Sequence, residues 1–136
     1  LDSTSLSLRI AESAADRKAL DIKVIDVRGR CGYADYLVLA SGTSDRHVQS
    51  IAELVEKEVK DQGTRSIGRE GLREGQWALV DFGDVIFHVF HEFTRPQYDL
   101  DTLWQEAPQS RLAPSAGAPA AHLPSSPEQL SSPQPG

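Results

Sequence analysis

The sharpest alternation of apolar and polar positions falls in two runs, Gln76 to Phe82 and Val85 to His91, separated only by Gly83-Asp84. A two-residue hairpin loop with glycine at its first central position fixes the register without slack. Phe82 then faces Val85, Val80 faces Phe87 and Ala78 faces Val89, which makes one wholly apolar face. On the other face Asp81 meets Ile86, Leu79 meets His88 and Trp77 meets Phe90. Burying that second face would be costly unless Asp81 and His88 were both paired. Part of it is therefore expected to stay accessible and to meet a partner, with Trp77 giving contact area and Tyr98 an amphipathic edge.

The remaining periodicities place the other elements. Ser5 to Leu20 has no Gly or Pro and is rich in Ala, Leu and charge, so it predicts a helix with Leu8, Ala11, Ala15 and Leu20 toward the sheet. Asp21 to Val27 is β-branched and predicts a strand with Lys23 and Asp26 at its ends or exposed side. Arg28 to Gly32 turns the chain. Asp35 to Ala40 predicts a buried strand with Tyr36, Val38 and Ala40 on one side and Leu37 and Leu39 on the other. Ser44 is the expected N-cap of a helix reaching about Gln62, with Val48, Ile51, Ala52, Val55 and Val59 on one face. Glu53 with Lys57 and Glu56 with Lys60 are spaced as ion pairs on its outer side, and Gly63 suits the position after its end. Thr64 to Gly75 predicts a loop with at most a short strand near Ser66-Ile67. After the hairpin, Thr94-Arg95-Pro96 breaks the strand, and Leu100 to Trp104 predicts a last short helix docked by Leu100, Leu103 and Trp104. The fold class is thus α/β, a mixed sheet with flanking helices in the order helix, strand, strand, helix, strand, strand, short helix.

Composition divides the chain. Residues 1–104 form the expected domain, whereas 105–136 is rich in Pro, Ser, Ala and Gln with few charges and is expected to be a disordered tail. The 136 residues carry a formal net charge of -6, which argues against wrapping a phosphate backbone and favours a basic partner. A single cysteine, Cys31, excludes an internal disulfide and suits a reducing compartment. No apolar run approaches the roughly 20 residues that span a bilayer. The expected location is the cytoplasm, or an organelle if a targeting segment has been removed.

Candidate chemistry reduces quickly. Gly42-Thr43-Ser44 before a helix could hold a phosphate, but the lysine and further glycines of a P-loop are missing, so an ordinary cap is favoured. A Gly-Ser turn onto a helix followed by aspartates is also the layout of a nucleotidyltransferase. Two metals would need two carboxylates on one side of a strand. Asp81 and Asp84 are three apart across a turn, and Asp99 and Asp101 follow Pro96 in a helix. His88 and His91 point to opposite faces of a strand, which excludes a shared metal. His47 and His122 read as solvated. No catalytic residue, metal or cofactor is expected.

Three blocks carry a resemblance: DYLVLASGTSDRHVQSIA at Asp35 to Ala52, EGQWALVDFGDVIFHVFHE at Glu74 to Glu92, and RPQYDLDTLW at Arg95 to Trp104. Together they resemble the ribosomal silencing factor (Iojap) family over nearly everything from the first helix to Trp104. The resemblance implies a nucleotidyltransferase-like fold without the catalytic acids, hence a protein that is not an enzyme. It further implies binding to the large ribosomal subunit through its fourteenth protein, blocking the small subunit and repressing translation under nutrient limitation. A nucleotidyltransferase-like enzyme is the alternative. Carried onto this sequence, the contacts would fall on Trp77, Asp81, Asp84, His88, Glu92, Arg95 and Tyr98. The other implied partnerships are little or no direct nucleic-acid binding, no membrane, and a homodimer when free of the ribosome.

Overall fold

The computed structural model describes residues 2–112. Helix α1, Ser3–Asp16, starts where the Asp2 side chain accepts the Ser5 N–H at 2.7 Å. Its inward stripe is Leu6, Ile10, Ala11, Ala14 and Ala15, while Leu8 faces solvent. Leu8 lies two residues beyond Leu6, about 200° further round the helix, so the two cannot share a face. The expected stripe was right at Ala11 and Ala15 and wrong at Leu8 and at Leu20, which lies beyond the helix as the first residue of a strand.

Strand β1, Leu20–Asp26, is followed by β2, Tyr36–Gly42, every residue of which is buried. Helix α2, Asp45–Asp61, begins with the Ser44 hydroxyl accepting the His47 N–H and buries the five positions that its periodicity singled out. Gly63 follows it at φ +108. A three-residue strand β3, Gly68–Glu70, precedes β4, Trp77–Asp81, and β5, Val85–His91. Two helices of four residues each, α3 at Arg95–Tyr98 and α4 at Leu100–Leu103, then lead to β6, Gln109–Leu112.

The six strands lie in the order β3-β4-β5-β2-β1-β6. β2 and β5 run parallel at the centre, and the other neighbours are antiparallel. The hairpin register is the one the two-residue loop demands, from Asp81 opposite Ile86 to Trp77 opposite Phe90, with Gly83 at φ +96. Helices α1 and α2 cover the face carrying Tyr36, Val38, Ala40, Ala78, Val80, Phe82, Val85, Phe87 and Val89. The second face gathers Ile25, Leu37, Leu39, Ile86 and Phe90 under Val27, Ala34, Leu100, Trp104 and Ala107.

Several expectations need correction. The domain does not stop at Trp104, because β6 pairs with β1 from Gln109 opposite Ile25 to Leu112 opposite Ile22. An edge strand is held by main-chain hydrogen bonds that composition does not register. Residues 113–136, including His122, lie outside the described residues. The short strand in the loop lies at Gly68–Glu70, not at Ser66-Ile67. The expected last helix is present as α4, but Leu103 is exposed and does not dock, and an additional helix, α3, precedes it with Asp99 at a left-handed φ of +56 between the two. Lys23 is buried and not exposed. On α2 the ion pairs are Lys57 with Asp61, Glu56 with Arg69 of β3 and Glu58 with Arg17 at the end of α1, in place of the expected Glu53–Lys57 and Glu56–Lys60. His47 is no idle surface group: Nδ1 accepts the Thr43 N–H at 2.9 Å, and Nε2 donates to the Arg17 carbonyl at 2.9 Å.

Candidate functional site

Strand pleating sends Trp77, Leu79 and Asp81 of β4 to the second sheet face, and all three remain half-buried. The α3–α4 segment packs on that face through Leu100 and Trp104 and meets β4 where Tyr98 lies against Trp77, while Trp77, Leu79 and Asp81 keep an accessible side. The four steps along the five residues from Trp77 to Asp81 make an open strip of about 13 Å at strand rise. At one end Trp77 carries an aromatic cluster. Its ring lies 4.2 Å from Tyr98 and 5.3 Å from Phe90, centroid to centroid. Tyr98 is 45% exposed while Phe90 is sealed, so the cluster is a buried root with an open edge. Phe93 lies close by in sequence, 75% exposed, with its ring tilted against His91 at 5.4 Å.

At the other end Asp81 Oδ1 accepts the Gly83 N–H at 2.8 Å, which ties this carboxylate to the hairpin turn. Asp84 is exposed at the turn itself, and its carbonyl accepts the Asp35 N–H at 2.7 Å. Glu92 is half-buried and lines a cleft of about 440 Å³ with Asp21, Arg95 and Asp99. The open strip is thus aromatic at its Trp77 end and anionic at its Asp81 end.

Two residues expected on this surface point inward. His88 is only 7% exposed and accepts the Trp77 indole N–H on Nδ1 at 3.0 Å. Burial holds its pKa down at about 4, so the ring is neutral near pH 7 and offers a partner no charge. Arg95 is 5% exposed. Its Nε and Nη2 donate to the two Asp101 oxygens at 3.0 and 2.9 Å, and Nη1 donates to the Asp21 carbonyl and the Ser41 hydroxyl. Lys23 Nζ completes the cluster on Asp101 at 2.7 Å. Hydrogen bonds from Arg95 and Lys23 outweigh desolvation and hold the Asp101 carboxyl well below the usual range. Asp101, weighed with Asp99 for metal chemistry, is therefore spent on an ion cluster. Among the described residues no group of three or more His, Cys, Asp or Glu is arranged to hold a metal ion.

Phe93 and the Lys23–Asp101 contact were missed by sequence reasoning. Phe93 carried a weak signal, a large apolar residue just past a strand end and before a proline. The Lys23 contact spans most of the domain and had none.

A family model described as ribosomal silencing factor during starvation matches residues 2–133. The ribosomal silencing factor RsfS of Bacillus subtilis is 41% identical over 106 residues, covering 77% of this chain and 90% of that protein. The chain belongs to the ribosomal silencing factor family. Its fold is shared by a crystal structure from Chromobacterium violaceum, with a TM-score of 0.76 at 30% identity, covering 85% of this chain and 98% of that one. A mouse relative named mitochondrial assembly of ribosomal large subunit protein 1 is 38% identical over 89 residues, covering 63% of this chain and 39% of that protein. Relatives of this chain thus include a bacterial silencing factor and a mouse protein named as mitochondrial, and no helix among the described residues is long and apolar enough to cross a membrane.

Proposed function

We propose that this silencing factor binds the large ribosomal subunit through its fourteenth protein and occupies the surface that the small subunit needs, lowering translation when nutrients are scarce. The observation that carries the reading is the open strip along β4, with the tilted Trp77–Tyr98 pair at one end and Asp81 and Asp84 at the other. Half-exposed aromatic rings with a sealed root are suited to anchoring a contact, because their area is already ordered before binding. The carboxylates suit a partner rich in Lys and Arg and steer its approach, in keeping with the net charge of -6. Contacts are assigned to Trp77, Asp81, Asp84, Glu92 and Tyr98, with Phe93 added. His88 and Arg95 support this surface from behind.

The test is co-sedimentation with isolated large subunits, followed by subunit joining assays. Trp77→Ala and Asp81→Lys should each weaken binding by about tenfold or more, equivalent to about 1.4 kcal/mol. Asp81→Lys also loses the Gly83 hydrogen bond, a stability cost of about 0.5–1.5 kcal/mol. If both variants fold and sediment with large subunits as the unaltered protein does, this face is not the contact.

A further inference from the structure

Helices α3 and α4 have four residues each, too short to hold themselves together. Within α3 only Arg95 is buried, and α4 buries no residue fully. Apolar anchorage of this arm is confined to the partly buried Leu100 and Trp104 and the edge contact of Tyr98. Yet the arm carries Phe93, Tyr98 and Leu103, three of the large apolar side chains left most open on the domain. Something other than core packing must set where these side chains stand.

The Lys23–Asp101–Arg95 cluster has the geometry to do so. Arg95 grips Asp101 with a two-pronged fork, so the first residue of α3 is tied to the second residue of α4. Its remaining nitrogen reaches the Asp21 carbonyl and Ser41, and Lys23 reaches Asp101 from β1, so the pair is fastened to two strands of the sheet. Tyr98 lies one turn after Arg95, on the Trp77 ring. We propose that Asp101 is a positioning residue: the ion cluster it centres fixes the α3–α4 arm on the sheet and thereby seats Tyr98 on Trp77, assembling the surface that meets the large subunit. This rests on the contact face proposed above. Asp101 acts through Tyr98 and touches no partner itself.

The experiment is a double-substitution cycle in the full chain. Large-subunit binding is measured for Asp101→Asn, Tyr98→Ala and both together, alongside amide hydrogen exchange of each free protein. Asp101→Asn should speed exchange over residues 94–104, leave α1 and α2 unchanged, and weaken binding about tenfold. The double variant should bind no worse than the weaker single variant, because a tyrosine already absent cannot be mispositioned. Faster exchange with unchanged binding, while Tyr98→Ala still weakens it, overturns the proposal and leaves the contact face standing. Losses that multiply in the double variant also overturn it, since Asp101 would then act independently of Tyr98. Normal binding by both Tyr98→Ala and Trp77→Ala removes the contact face, and the proposal with it. If Asp101→Asn fails to fold, Lys23→Gln, which loosens the cluster but keeps the Arg95 fork, takes its place with the same outcomes.

Discussion

Acidification should destabilise this domain in a window that belongs to His88. In the folded protein the ring is sealed under Trp77 and protonates only near pH 4, whereas in the unfolded chain it protonates near 6.5. The unfolded state therefore binds the proton first as pH falls, so stability declines below about 6.5 and levels off near 4. Each unit of pKa depression corresponds to about 1.4 kcal/mol, which gives a loss of about 2 kcal/mol by pH 5 and about 3 kcal/mol by pH 4. Protonation also places an N–H on Nδ1, where the Trp77 N–H already points, so the accepting bond cannot survive. Paired carboxylates give no such loss in this range. Asp26 and Asp101 have lowered pKa values, and their stabilisation is present above about 3.9 and fades only as pH falls below it. Urea unfolding followed by far-ultraviolet circular dichroism at pH 7.5, 6.5, 5.5 and 4.8 measures the slope, with a constant m-value as the two-state check. His88→Gln can still accept the indole N–H but does not titrate, and it should flatten the curve. Equal slopes for both proteins between pH 6.5 and 4.8 would refute the reasoning.

Ending the chain after Gln105 removes β6 and bares the β1 edge, so it should cost about 2 kcal/mol or more from lost hydrogen bonds and the burial of Ala107. Ending it after Leu112 should leave the melting temperature within a degree or two of the full chain, by the ~4–8 °C per kcal/mol typical of this size, and calorimetry distinguishes the two. Gly71→Ala should lower stability by at least about 1–2 kcal/mol, the cost of a left-handed alanine alone. Gly71 sits at φ +76, and an added Cβ would lie 2.0 Å from the Trp77 carbonyl oxygen, so chemical denaturation should show the larger effect of strain plus collision.

How far the sequence led depends on the range of each interaction. The hairpin register was legible because two residues between Phe82 and Val85 leave no freedom to slip. The α2 helix was legible because its cap and its buried stripe are local patterns. β6 escaped because Gln109, Ser110 and Arg111 are exposed, and the strand forms through main-chain bonds to β1. In the candidate site, the alternation correctly put Trp77, Asp81 and His88 on one face. It did not show that Trp77 would supply the hydrogen bond making burial of His88 tolerable. Arg95 looked like a surface cation for the same reason: Asp101, Asp21, Ser41 and Lys23 converge on its cluster only after folding.

The sheet order also imposes a timetable on synthesis. A ribosome makes β1 and β2 early, but the parallel partner of β2 is β5, and the partner on the outer edge of β1 is β6, the last described strand. Non-local pairings of this kind cannot form until the distant segment exists. During translation the β1–β2 hairpin therefore waits with two unsatisfied edges, and the second sheet face waits without its cover. The arm bearing Tyr98 and the strand behind it arrive together at the end. A silencing factor built in this order completes the proposed contact face only after nearly all of the described domain has been translated, so under that proposal a partly made chain has no finished face to offer the ribosome that is making it.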